Sequence, residues 1–204
     1  MTKSVRSLMS VQPKTRYTLQ EYLDLERSGQ ARHEYLDGEV FAMGGASWPH
    51  VLIVSNLVSS LKTPLRARGC DVASSDLRVK VAATSLYTYP DIAVVCGRPE
   101  LERPGDTLIN PKMIVEVLSE STEAYDRGKK FEHYRTIGSL TDYMLVSQDK
   151  VLVEHYSRQA DGRSLYTAAN KATDSLSIAT LGCALKLAEV YENVVGLAAR
   201  DAQA

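Results

Sequence analysis

With 204 residues, 44% hydrophobic and 24% charged, the chain is long enough to bury a sizeable core and ordinary enough in composition to exclude a fibrous or low-complexity polymer. A formal net charge of −1 argues against a strong nonspecific nucleic-acid binder, while leaving room for a local basic cleft. No apolar run reaches the length that spans a bilayer and no secretory signal is visible, so the default expectation is a cytoplasmic protein.

The first sixteen residues hold Lys3, Arg6, Lys14 and Arg16 and no acid. They read as a disordered basic tail ahead of a single domain over 17–204. Thr18-Leu19-Gln20-Glu21 is a capping box, and the helix it opens should stop near Gly29. His33 to Leu36 and Glu39 to Met43, joined by Asp37-Gly38, predict a β-hairpin. Gly44-Gly45 breaks it. Apolar residues from Val51 to Leu65 recur at helical spacing, and Pro64 must kink that helix or end its regular part. Strands are expected near 70–74, 76–82 and 90–96, then a loop over 97–111 and a strand over 112–118. A helix follows from Asp126 to Ile137, ended by Gly138. Further strands are expected at 142–147, 150–157, 163–169 and 184–187, with a last helix near 188–200. The pattern is α/β (α+β), a mixed sheet with helices packed on it. Cys70, Cys96 and Cys183 are odd in number and lack metal-ligand spacing, so they read as small core residues in a reducing compartment.

Two short apolar strands each carry one acid. Asp91 follows Pro90 at the start of Ile92-Ala93-Val94-Val95, and Glu116 lies inside Met113-Ile114-Val115-Glu116-Val117-Leu118. A carboxylate inside such a run loses its hydration, and two on neighbouring strands repel each other. A divalent metal between them accounts for both acids together. The structural alternatives are a strand-edge acid at Asp91 and, at Glu116, a buried ion pair with Arg or Lys. In the helix after Glu116, Phe131 and Tyr134 should face the core, which turns Lys130 toward the sheet edge. Taken as a pair alone, Lys129 and Lys130 read better as two solvated side chains. Glu34 on the hairpin and His50 at a helix start complete the candidates.

These residues in order, Glu34-Tyr35-Leu36-Asp37-Gly38-Glu39, Met43, His50, Pro90-Asp91, Val115-Glu116-Val117-Leu118-Ser119, Ser121-Thr122, Asp126, Lys130 and Tyr134, resemble the Uma-two family, described as putative restriction endonucleases of the PD-(D/E)XK superfamily. The resemblance covers roughly residues 17 to 195. It implies a restriction-endonuclease-like mixed β-sheet flanked by helices, with Asp91 as the first acid and Glu116 as the second. The superfamily pattern places Lys two residues after the second acid, where this chain has Leu118. The resemblance implies that the lysine has moved to the following helix as Lys130. It further implies metal-dependent hydrolysis of nucleic-acid phosphodiester bonds, with DNA as substrate. Asp91, Glu116 and the Val117 carbonyl would hold Mg²⁺, with Mn²⁺ as the alternative ion. Asp91, Glu116, Lys130 and Glu34 are the catalytic candidates, with Glu34 serving outer waters or a second metal. His50, Arg127 and Lys129 are the candidate phosphate contacts. A homodimer would place two sites on two strands. An inactive nucleic-acid- or protein-binding module on the same fold, and a metal-dependent phosphohydrolase, remain the alternatives.

Overall fold

The computed structural model describes residues 16–29, 31–102 and 105–194. Apart from Arg16, the basic tail expected over 1–16 lies outside these residues, as does 195–200 of the last expected helix. Helix α1 (Leu19–Ser28) begins on its capping box: the Thr18 hydroxyl accepts from the Glu21 N–H, and the Glu21 carboxylate accepts from the Thr18 N–H at 2.8 Å. Strands β1 (His33–Leu36) and β2 (Glu39–Ala42) form the hairpin. Asp37 and Gly38, at φ 49° and 89°, both take the left-handed backbone that a two-residue type I′ turn requires. Helix α2 (Trp48–Arg66) starts on the Ser47 cap and runs two residues past Pro64, which falls in the last turn.

Strands β3 (Cys70–Ser74), β4 (Arg78–Val81), β5 (Leu86–Thr88), β6 (Ile92–Cys96), β7 (Leu101–Glu102), β8 (Thr107–Leu108) and β9 (Met113–Leu118) follow. The sequence pattern misses β5, which has three residues, and hides β7 and β8 inside the 97–111 loop, because pieces so short carry no readable period. Helix α3 (Glu123–Tyr125) continues through a π-helical turn, Asp126–Lys130, into α4 (Phe131–Tyr134). This helical stretch starts and ends about one turn before the predicted one. Strands β10 (Asp142–Ser147), β11 (Val153–Arg158), β12 (Ser164–Ala169), the unforeseen β13 (Ser175–Ile178) and β14 (Cys183–Lys186) lead to a one-turn helix, α5 (Leu187–Val190).

A six-stranded mixed sheet, in the order β12-β11-β10-β9-β6-β3, is parallel only at β9–β10. All six residues of β9 are buried, as its unbroken apolar run predicts. They alternate between two cores. Met113, Val115 and Val117 pack with Ile53, Leu57, Leu61 and Leu65, the four-residue repeat of α2. Ile114 and Leu118 face the other way, onto Tyr134, Tyr143 and the apolar side of a second six-stranded sheet, β2-β1-β5-β4-β8-β7. Glu116 belongs by alternation to this second face, among the groups that sandwich the large sheet between helix and small sheet.

The cysteines correct the sequence reading. Cys70 and Cys96 are directly opposed in the antiparallel β3–β6 pair and are joined by a disulfide, while Cys183 is free. Spacing along the chain could not reveal a pairing that strand register creates. The bond removes the argument from three free thiols to a reducing compartment. Among the described residues, no helix is long and apolar enough to cross a membrane.

Candidate active site

Strand register brings the two acids together. Ile92 pairs with Val115 and Ala93 with Ile114, so Asp91, one residue ahead of β6, falls opposite Glu116. Ala93 lies in the same core as Ile114 and Leu118, and a period of two puts Asp91 and Glu116 on that same face. The Asp91 carboxylate is held by two groups. The Val117 N–H donates to its Oδ2 at 2.7 Å, and His50 Nε2 lies 2.9 Å from its Oδ1. His50 reaches this point from the first turn of α2, where Ser47 caps the helix by accepting from the His50 N–H. His50 is thus engaged with an acid rather than free toward solvent.

Lys130 enters the site from the helical stretch above the sheet. Its ammonium is buried and lies 3.0 Å from Glu116 Oε1, 3.2 Å from Glu34 Oε1 and 3.4 Å from Asp126 Oδ1. The Tyr134 hydroxyl donates to Glu116 Oε1 at 2.8 Å, and the Thr88 hydroxyl donates to Glu34. Asp126, Lys130 and Tyr134 follow each other at four-residue steps, so one side of this helical stretch supplies an acid, a cation and a hydroxyl to one cluster. A π-helical turn spans the first two, a distortion found often at functional sites. Leu118, where the superfamily pattern has its lysine, shares the face of Glu116 but packs in the apolar core. The cation beside Glu116 is Lys130.

Both readings of Glu116 therefore meet in one site: it has the expected lysine partner and the expected neighbouring acid. Burial, first of all, pushes the Glu116 carboxyl up to about 8, and the charges of Asp126 and Asp91 push the same way against the pull of Lys130. Asp126 is raised for the same leading reason. Lys130 is held well above its ordinary value, because the three acids outweigh its burial. One ammonium cannot neutralise three carboxylates. Lys130 is held charged, and Glu116 is the acid of the cluster raised furthest above its ordinary value.

Arg127 and Lys129 part company. Arg127 is tied to Glu123 at 2.7 Å and to Glu154, two strands along the sheet from Glu116, rather than to the acid cluster. Lys129 is exposed. Three members of the cluster carried no assigned role in the sequence: Asp126, Tyr134, which the apolar pattern assigns to the core, and Thr88 on the unforeseen β5. The equal spacing of Asp126, Lys130 and Tyr134 was the available signal.

The two carboxylates and the Val117 carbonyl are oxygen ligands, which suits a hard divalent cation, and the excess of carboxylates over ammonium favours one. In the conformation described, Lys130 and His50 occupy the approaches to the two acids. Among the described residues, no three His, Cys, Asp or Glu side chains stand in metal-holding proximity.

The model of the Uma2 family, described as "Putative restriction endonuclease", matches residues 19–188. The chain belongs to the Uma2 family. The match spans every element that builds the acid cluster. Two uncharacterized proteins of Synechocystis sp., slr1290 and sll1609, are similar to the chain. The first is 36% identical over 175 residues, covering 86% of this chain and 91% of that protein. The second is 34% identical over 151 residues, covering 74% and 85%. A crystal structure described as a putative nuclease belonging to DUF820, from Anabaena variabilis, superposes with a TM-score of 0.71 at 20% identity, covering 88% of this chain and 99% of that one. At that identity the likeness establishes the shared fold, a restriction-endonuclease-like mixed sheet flanked by helices.

Proposed function

We propose that this chain is a metal-dependent endonuclease that hydrolyses nucleic-acid phosphodiester bonds, with DNA as its substrate and Mg²⁺ or Mn²⁺ as its ion. One observation supports the reading: the Lys130 ammonium lies 3.0 Å from Glu116, where it would stand in for the lysine missing from position 118. Asp91, Glu116 and the Val117 carbonyl would hold the cation. When bound, it supplies charge neutralisation and a water acidic enough to be deprotonated near neutral pH.

The chain's own groups have distinct tasks. His50 and the Val117 N–H fix the Asp91 carboxylate. The Tyr134 hydroxyl orients Glu116 and favours its ionised form. Lys130 is an ammonium, since Glu116, Glu34 and Asp126 all favour its charge. It therefore stabilises negative charge on the phosphoryl oxygens and positions water as a donor, rather than acting as a base. Glu34 and Asp126 keep that ammonium in place. Exposed Lys129 is free to contact the phosphate backbone, and a homodimer would present two such sites.

Pure protein incubated with plasmid, single-stranded DNA and RNA, each with Mg²⁺, Mn²⁺ or EDTA, tests the proposal. It predicts cleavage that needs the metal and disappears in Asp91→Asn. Binding without cleavage under every condition would support the inactive module instead, for which Leu118 speaks. Turnover of p-nitrophenyl phosphate without strand cleavage would support a phosphohydrolase.

A further inference from the structure

Two large exposed side chains flank the acid cluster, and the proposed chemistry uses neither. The chain holds one Trp and two Phe. Phe131 stacks on Tyr143 at 5.2 Å, but Trp48 is 69% exposed and Phe41 is 48% exposed. Single exposed apolar residues are ordinary, so their placement decides whether these two mean anything. Phe41 is the direct cross-strand partner of Glu34 in the β1–β2 ladder. Such partners project to the same face with Cβ atoms about 4.5–5.5 Å apart. Phe41 thus stands beside an acid that touches Lys130. Trp48 opens α2 two residues before His50, the partner of Asp91. The cap preceding it, Ser47, donates to Gln148 at 2.7 Å, just beyond the end of β10, where Ser147 lies level with Leu118. That hydrogen bond holds Trp48 at the end of the large sheet where Glu116 sits. One aromatic therefore marks the small-sheet side of the site and the other marks the α2 side.

Charge narrows what these rings can hold. The cluster carries four acids and one ammonium, and the whole chain is slightly acidic. Counterion release from phosphates, which dominates duplex binding, is weak on such a surface. Base stacking on exposed rings supplies affinity without cationic residues, and only unpaired bases offer their faces. We propose that Phe41 and Trp48 are base-stacking residues, and that the site takes an unpaired nucleic-acid strand in preference to an intact duplex. The inference rests on the nucleic-acid reading of the site and adds its substrate class.

Trp48 is the only tryptophan, so its emission reports on this position alone. The test titrates the full chain, in Ca²⁺ and again in EDTA, with a labelled single-stranded DNA, the matching RNA strand and the same sequence as a blunt duplex. Anisotropy of the label and Trp48 emission are read together. Either single strand should bind with quenching, the duplex more weakly and with less, and the DNA and RNA arms identify the sugar preferred. Phe41→Ala and Trp48→Ala should each weaken single-strand binding about 5- to 150-fold, while Trp48→Phe, which keeps a ring, should bind close to wild type. Melting curves check that the variants are folded. Single-strand binding with unchanged Trp48 emission and with wild-type affinity in the alanine variants overturns the stacking role and leaves the nuclease reading intact. Duplex binding as tight as single-strand binding overturns the strand preference. A blue shift of Trp48 emission with protein concentration alone would make the rim an interface between copies, and overturns the proposal too. If no nucleic acid binds in any arm, the inference and the reading beneath it fall together.

Discussion

Replacing Glu116 with Gln should stabilise the metal-free protein, and more so as the pH rises. The side chain keeps its shape, and its amide oxygen can still accept from the Tyr134 hydroxyl. Lys130 is not orphaned, because Glu34 and Asp126 remain at 3.2 and 3.4 Å. What disappears is a buried charge. Glu116 rises from an ordinary 4.5 to about 8, first through burial. An acid raised in this way binds more protons folded than unfolded, so its stabilising contribution is complete below about pH 4.5 and is lost as the pH climbs toward about 8. At about 1.4 kcal/mol per pH step for one proton, the ceiling is roughly 5 kcal/mol. Half of that ceiling would move the melting temperature by about 5–10 °C in a chain of this size. Thermal melts in EDTA at pH 5, 6, 7 and 8 decide. The expected curves nearly coincide at pH 5 and diverge by pH 8, with the variant higher. If the pair with Lys130 were purely structural, the variant would instead lose about 3–5 kcal/mol. That loss, or a difference independent of pH, would make Glu116 a structural ion-pair partner of Lys130 instead.

Lys130→Met should lower the cleavage rate about 10²–10⁴-fold, whereas Lys129→Met, its exposed neighbour, should leave it nearly unchanged; equal small effects would remove Lys130 from the mechanism. Adding Leu118→Lys to Lys130→Met returns a cation to the face of Glu116, and initial rates should show part of the lost activity recovered. No recovery in a folded double variant would mean that only the helical position can deliver the charge. Reduction of the Cys70–Cys96 bond, which closes a sequence separation of 26, should cost about 3–4 kcal/mol in the loop-entropy account. Melts with and without reductant read this out, and three titratable thiols in the unreduced protein would show that the bond does not form.

The site was more legible than the sheet that carries it. Glu116 stood out because an acid inside Ile114-Val115 and Val117-Leu118 must be buried, and a buried acid needs partners. The capping box at Thr18 and the Asp37-Gly38 turn were readable because their chemistry is local. Three strands of the second sheet were not. Leu86-Tyr87-Thr88, Leu101-Glu102 and Thr107-Leu108 become strands only by pairing with distant segments, and two or three residues show no period of their own. The Asp126 and Tyr134 roles were hidden for a related reason. Both depend on what lies beneath the helical stretch, and Tyr134 satisfies the core with its ring while its hydroxyl serves Glu116. Cys70 and Cys96 became partners through the β3–β6 register, which no spacing along the chain encodes.

The proposed function requires Asp91 and Glu116 to hold a divalent ion together. Calorimetric titration of Mn²⁺ into the metal-free chain at about pH 7, in two buffers of different ionisation enthalpy, measures binding and proton release at once. Mn²⁺ should bind with release of part of a proton, because burial raises the Glu116 carboxyl to about 8 and the ion displaces its proton. Asp91→Asn and Glu116→Gln should each abolish that binding, with the proton release lost along with it. Unchanged Mn²⁺ binding in both variants, or no binding to the wild type, would contradict that requirement.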